Sequence, residues 1–131
     1  MCIFCQIIEG SIPSYKVMEN PHAFAFLDIN PTTPGHTLVV PRSHYGSLEE
    51  IPLEELREII GAVQEVGERM KSKLSCPAYN LIVNNGSEAG QAVPHLHFHI
   101  IPRRPGDGLE PWPGKKYMEG EAEEIISRLN S

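Results

Sequence analysis

The chain lacks any apolar run approaching the ~20 residues of a membrane-spanning helix, so no membrane association is expected. No stretch near the start has signal-peptide character, and the cytoplasm is the expected location. Cysteine is scarce. Three residues of it cannot build a disulfide framework, and a reducing compartment would keep them as thiols. Basic residues are outnumbered, 11 Lys and Arg against 17 Asp and Glu, and the formal net charge is −6. That balance argues against binding of nucleic-acid polymers through their phosphates. An anionic ligand would have to be attracted locally, by backbone N–H groups and histidines. There is no internal repeat, low-complexity tract or second-domain boundary, so the 131 residues read as one domain, 1–131. With 40% apolar and 21% charged residues, such a chain supports an ordinary hydrophobic core.

What the chain does have is a row of histidines. Pro94–Arg103 reads Pro-His-Leu-His-Phe-His-Ile-Ile-Pro-Arg, alternating histidine with a large apolar residue. This is the period of a strand with one buried face. Leu96, Phe98 and Ile100 are expected in the core, with His95, His97 and His99 together on the opposite face. Such a row admits a solvated strand face, a metal site or catalysis by imidazole. Geometry limits the metal. Positions i and i+4 on a strand lie ~13 Å apart, too far for one ion with bonds of ~2 Å to reach all three histidines.

The remaining pattern predicts an antiparallel α+β domain of five short strands, one long helix and short terminal helices. A helix is expected over Phe4–Glu9, stopped by Gly10, followed by strands at Tyr15–Glu19, Ala23–Ile29 and His36–Val40. The long helix is expected over Leu53–Leu74, with Pro52 at its start, Glu54 and Glu55 in its first turn and Lys71 and Lys73 in its last. Its sheet-facing stripe is read as Leu53, Leu56, Ile60, Val63, Gly67, Met70 and Leu74, with close packing as the reason for Gly61 and Gly67. A strand at Tyr79–Val83 leads through Asn84-Asn-Gly-Ser-Glu-Ala-Gly90 to the histidine row. Small residues in that loop let consecutive N–H groups converge on an anion, with Ser87 and Gln91 as side-chain donors. A proline- and glycine-rich tail and a short amphipathic helix, Glu121–Leu129, close the chain.

His95-Leu-His97-Phe-His99-Ile-Ile resembles the signature of the histidine triad, or HIT, family of nucleotide-binding hydrolases and transferases. Four further blocks resemble the family in the same order: Cys2-Ile-Phe-Cys-Gln-Ile-Ile, Ala25-Phe-Leu-Asp-Ile-Asn-Pro, Pro34-Gly-His-Thr-Leu-Val-Val-Pro and Asn84-Asn-Gly-Ser-Glu-Ala-Gly-Gln. Together they span about residues 2–104, leaving 105–131 as a tail. The resemblance is strongest to the bacterial and archaeal hydrolases and the related purine-nucleoside phosphoramidases. It implies the HIT fold, a homodimer and hydrolysis of purine nucleoside phosphoramidates, nucleotidyl esters or dinucleoside polyphosphates, with no organic cofactor. His97 would attack the α-phosphorus, which requires its other nitrogen to keep a proton against an acceptor such as a backbone carbonyl. His99 and His36 would flank the phosphate. Asp28 would hold the ribose, with Ile29, Phe4 and Phe26 as base-pocket or core residues, and Asn84, Gly90, Gln91, Ala92 and Val93 would surround the phosphate. Many family members carry a hydroxyl residue where this chain has Ala92, which lowers the expectation of efficient turnover. Histidine rather than glutamine at position 99 points to hydrolysis over uridylyl transfer. A non-catalytic nucleotide-sensing module and a zinc-dependent hydrolase are the alternatives.

Cys2 and Cys5 make a CxxC pair, but the strand that normally precedes a redox CxxC has no room before position 2. As zinc ligands they are half of a tetrahedral site, and His44 and His95 are the candidates for the other half. The resemblance to relatives with this CxxC implies that Cys2His2 set, as a structural zinc. The bland alternative is two buried thiols packing a small helix. Cys76 reads as inert.

Overall fold

The computed structural model describes residues 2–131, so residue 1 of the expected 1–131 domain lies outside the described residues. The elements, in chain order, are α1 (Ile3–Glu9), β1 (Lys16–Glu19), β2 (Ala23–Leu27), β3 (Thr37–Pro41), α2 (Leu53–Lys73), β4 (Ala78–Val83), β5 (Phe98–Arg103) and α3 (Glu121–Leu129). A single 3-10 turn, Ser87–Ala89, sits between β4 and β5. The five strands form one antiparallel sheet in the order β1-β2-β3-β5-β4. The expected α+β architecture is present, and most strand ends fall within one or two residues of their expected positions.

Both faces of the sheet are covered, which is why Ala23-Phe-Ala-Phe reads as an unbroken apolar run. Ala23, Ala25, Val39, Phe98 and Ile100 pack with Ile59, Ala62, Val63, Val66 and Met70 of α2. Phe24, Phe26, Leu38 and Val40 face the other way and pack with Phe4 and the flanking Ile7 and Ile8 of α1. At ~25 cal/mol per Å² of apolar area removed from water, these two layers supply the main stabilisation of the domain.

The buried stripe of α2 is rotated from the expected one. Ile59, Ala62, Val63, Val66, Gly67 and Met70 are buried, whereas Leu53, Ile60 and Leu74 are 60%, 44% and 46% exposed. Two stripes compete in this sequence, and the one bearing Ala62 and Gly67 brings the helix closer to the sheet. At Gly67 a Cβ would lie 2.5 Å from the Tyr79 hydroxyl, so close packing does explain that glycine. Gly61 has open space beside it, and packing does not explain it.

The histidine row differs from the expectation in one respect that shapes the site. Leu96, Phe98 and Ile100 are core, as expected, but the strand starts only at Phe98. His95 and His97 precede it and are 0% and 6% exposed, so they are not on a solvated strand face. Their rings are held by carbonyl groups instead, and the chain before β5 bends to allow it. No helix among the described residues is long and apolar enough to cross a membrane.

Candidate functional site

β3 and β5 pair in register through Leu38 and His99, which brings residues 61 positions apart onto the α1 face of the sheet. His36, just before β3, then meets His99: its Nε2 is 3.0 Å from His99 Nδ1. Asp28, just beyond β2, follows on from the β2–β3 ladder through its N–H to the His36 carbonyl, 2.9 Å. One Asp28 carboxylate oxygen accepts the Asn30 N–H and the other lies 3.7 Å from His36 Nε2. The rings of His97 and His99 stand 4.9 Å apart. The three proposed catalytic histidines and the proposed ribose acid are therefore contiguous.

The proton positions follow from groups that have no choice. His97 Nδ1 lies 2.7 Å from the His95 carbonyl, which only accepts, so Nδ1 carries the proton and neutral His97 has its lone pair on Nε2. The backbone N–H of Thr32 donates to His36 Nδ1 at 3.0 Å. His36 must then be neutral with its proton on Nε2, from which it donates to His99 Nδ1. His99 in turn carries its proton on Nε2, a buried atom with no partner among the described residues. A chain of three donors thus ends in one N–H left for a ligand oxygen. Burial lowers His36 below the ordinary histidine value against the opposing pull of Asp28. Burial, then the neighbouring His97 and His36, lower His99 from 6.5 to about 4.

That depression has a testable consequence. A histidine whose folded value lies below its unfolded one stabilises the fold above pH ~6.5, and the contribution drains away as pH falls toward ~4. From 6.5 to about 4 the difference corresponds to ~3 kcal/mol. Denaturant titrations across this window should show wild type losing more stability than His99→Gln; parallel profiles would contradict the assignment.

A cavity of about 410 Å³ opens beside these histidines, lined by Ile3, Phe4 and Ile7 of α1, by Phe26, Asp28, Ile29 and Leu38, and by Ala92, Val93, His97 and His99. Its walls are mainly apolar, which suits a flat base, and no Lys or Arg lines it among the described residues. Phe4 and Phe26 are both core and lining, whereas Ile29 is 78% exposed at the rim. The loop before His95 is placed differently from the expectation. Gly90, at φ +96, closes the 3-10 turn, and the N–H groups of Gly90 and Gln91 are spent on Ser87 and Gly86 carbonyls. The Gln91 amide is also committed, accepting from the Gly86 N–H and donating to the Gly46 and Val93 carbonyls. Asn84, Gly90 and Gln91 stay outside the cavity lining, and of this loop only Ala92 and Val93 line it. The tail also stays away. Leu109–Trp112 runs along β4 at the sheet edge, in a separate groove with Asn80–Val83.

A second cluster lies behind His97. Cys2, Cys5, His44 and His95 bring four ligand atoms within 4.8 Å of one another. Tetrahedral zinc with the usual bond lengths needs edges of about 3.5 Å between S and N and about 3.3 Å between two N. Three of the four S···N separations are 3.5, 3.5 and 3.6 Å, and His44 Nδ1 is 3.1 Å from His95 Nδ1. The Nε2–H of His95 donates to the Pro41 carbonyl at 2.9 Å, which leaves its Nδ1 lone pair facing the cysteines. These residues fit a zinc ion. Asp28, His36 and His99 also have metal-like spacing, but there the Thr32 N–H keeps the His36 proton on the nitrogen a metal would need. Of the two clusters, only the cysteine one has its lone pairs turned inward.

Sequence reasoning expected a backbone carbonyl against His97 but not which one, and it did not find the Thr32 N–H or the Pro41 carbonyl, since a main-chain group carries no residue-type signal. Ile3, Ile7 and Leu38 were also missed as cavity lining.

The HIT domain model matches residues 9–106 of this chain. The adenosine 5'-monophosphoramidase of Saccharomyces cerevisiae is 43% identical over 103 residues, covering 79% of this chain and 63% of that protein, so the chain spans just under two thirds of its length. A crystal structure of a HIT family member from Bacillus subtilis superposes with a TM-score of 0.89 at 39% identity, over 98% of this chain and 94% of the other. A zinc-bound histidine triad family protein from Mycobacterium smegmatis superposes with a TM-score of 0.80 at 31% identity, over 98% and 95% of the two chains.

Proposed function

The chain belongs to the HIT domain family, and on that premise we propose that it hydrolyses purine nucleoside phosphoramidates and nucleotidyl esters through a covalent nucleotidyl-histidine on His97. The observation that carries this reading is the 2.7 Å bond from His97 Nδ1 to the His95 carbonyl, which reserves the Nε2 lone pair for attack. In the first step Nε2 bonds to the α-phosphorus. The leaving group departs with the electron pair of the broken P–N or P–O bond and takes a proton from water. In the second, water attacks the phosphorus, the N–P bond returns its electrons to Nε2, and a proton passes to solvent. The His99 Nε2–H and the N–H groups of Ala92 and Val93 hydrogen-bond to the phosphoryl oxygens, and Asp28 accepts from the ribose hydroxyls. His36 keeps His99 in the donor tautomer. With no cation in the lining, an amine or alcohol leaving group is favoured over the extra charge of a dinucleoside polyphosphate.

The test is a panel of adenosine and guanosine phosphoramidates, esters and dinucleoside polyphosphates, with early time points quenched for mass spectrometry. Release of AMP or GMP with a monophosphate adduct on the protein is expected, phosphoramidates fastest. Binding without release would favour the sensing module.

Cys2, Cys5, His44 and His95 hold a structural zinc in this reading, which the zinc-bound M. smegmatis relative supports. A closed four-ligand site supplies folding energy and no bound hydroxide. The protein is placed in the cytoplasm. It forms a homodimer at the β4 end of the sheet, where Leu81 is 45% exposed and the tail residues Leu109–Trp112 lie beside the strand. The buried stripe of α2 is already covered by its own sheet and is not part of this interface. Sedimentation of only a 14.6 kDa species would contradict the dimer.

A further inference from the structure

The cysteine cluster and the cavity share a wall. α1 begins directly after Cys2 and contains Cys5, so two ligands bracket its first turn. Between them sits Phe4, 7% exposed, whose ring meets His95 at 5.8 Å and His97 at 5.1 Å, edge-on to both. Ile3, Phe4 and Ile7 form one side of the cavity. His95 belongs to both sites as well: its Nδ1 faces Cys2 and Cys5, while its carbonyl accepts the His97 Nδ1 proton. The Leu96 N–H is tied to the Tyr45 carbonyl at 2.7 Å, beside His44. Any shift of α1 or of His95 therefore moves a cavity wall and the group that orients His97.

We propose that the Cys2/Cys5/His44/His95 centre is energetically coupled to the nucleotide cavity, with Phe4 as the positioning residue that transmits the coupling. This rests on reading the cavity as a nucleotide site. An ion at the four ligands fixes α1 against His95, which presets the cavity for a nucleotide. A nucleotide packed on Ile3, Phe4 and Ile7 holds α1 down and slows release of the ion. Coupling of this kind is reciprocal, so each ligand must change the other's affinity by the same factor.

The experiment loads the full chain with Zn²⁺ and measures, at equilibrium, its transfer to a competing chromophoric chelator, with and without AMP. AMP is expected to tighten zinc binding about 5- to 150-fold, the range of ordinary two-site coupling. AMP titrations of zinc-loaded and chelator-treated protein should show an affinity difference of matching size. Phe4→Leu retains all four ligands and most of the apolar bulk but removes the ring edges. In that variant zinc and AMP should both bind while the ratio falls toward one. Equal zinc affinities with and without AMP, or full coupling retained in Phe4→Leu, would overturn the proposal. Circular dichroism identifies chelator-treated protein that has unfolded, and the loaded-state transfer assay then decides alone. Failure of AMP to bind even the loaded protein would instead refute the nucleotide reading itself.

Discussion

Replacing His97 with alanine should lower turnover by ~10³-fold or more while leaving nucleotide affinity within a few fold, because deleting a covalent nucleophile removes the first chemical step. Binding does not depend on the same atom: the Asp28 carboxylate, the apolar walls and the Ala92–Val93 segment of the cavity all remain. The His97 ring also packs against Phe4 and His99, so its removal leaves a space, and circular dichroism with an AMP titration separates lost chemistry from lost structure. His97→Asn offers a finer reading, since its side-chain amide keeps a donor within range of the His95 carbonyl and has no nucleophilic nitrogen. Both variants should be inactive and should show no adduct in quenched samples. Residual turnover near wild type in either, after contaminating hydrolase is removed, would rule out His97 as the nucleophile. An adduct that persists in His97→Ala would transfer the role to another residue.

The core side of the histidine row was legible in the sequence, because alternating histidines and large apolar residues encode which side chains are buried, whereas the choice of His97 within the row came from the resemblance to the HIT family. The three apolar positions were read correctly for that reason. What the alternation did not carry was where pairing begins. His95 and His97 behave as strand residues in pattern, yet carbonyls at Pro41 and His95 capture their rings before the ladder starts. The α2 stripe shows the same limit. Leu53, Ile60 and Leu74 satisfy a helical period as well as Ile59, Ala62 and Val66 do, and only the sheet's shape chooses between them. Gly90 and Gln91 were legible as turn-forming residues with spare donors, but the turn itself consumed those donors. The His36–His99 contact depends on β3–β5 register, and its tautomers depend on the Thr32 N–H. Neither has a signature in residue identity. The Cys2-to-Cys5 spacing was legible as half of a metal site. His44 and His95 were named as the other half with the help of the resemblance, and the fold brings them to the cysteines across separations of 39 and 93 residues.

Loss of that site should be the largest stability change available from two atoms. A ligand that binds only the folded chain adds RT ln(1 + [L]/Kd), which is ~4 kcal/mol when it is present at a thousand times its Kd. In a domain of this size each kcal/mol moves the melting temperature by a few degrees, so chelation should lower it by on the order of 15 °C. The ligands are well placed to have this effect, since they join α1, which packs on the sheet through Phe4, Ile7 and Ile8, to the segment after β3 and to the segment entering β5. Cys2→Ser/Cys5→Ser should melt like the chelated wild type and should no longer respond to added zinc. Cys76→Ser is the matched control. Its thiol is buried and donates to the Ala78 carbonyl, so substitution there can cost stability, but the zinc response should be intact. Elemental analysis should find one zinc per wild-type chain and none in the double variant. A wild-type chain with no stoichiometric metal, and a melting temperature indifferent to chelator, would leave the two cysteines as packing for α1. In that case the lone pairs turned toward one another would have to be reconciled by protonated thiols. Burial, together with the neighbouring Cys2, already raises the Cys5 value in that direction when no ion is bound.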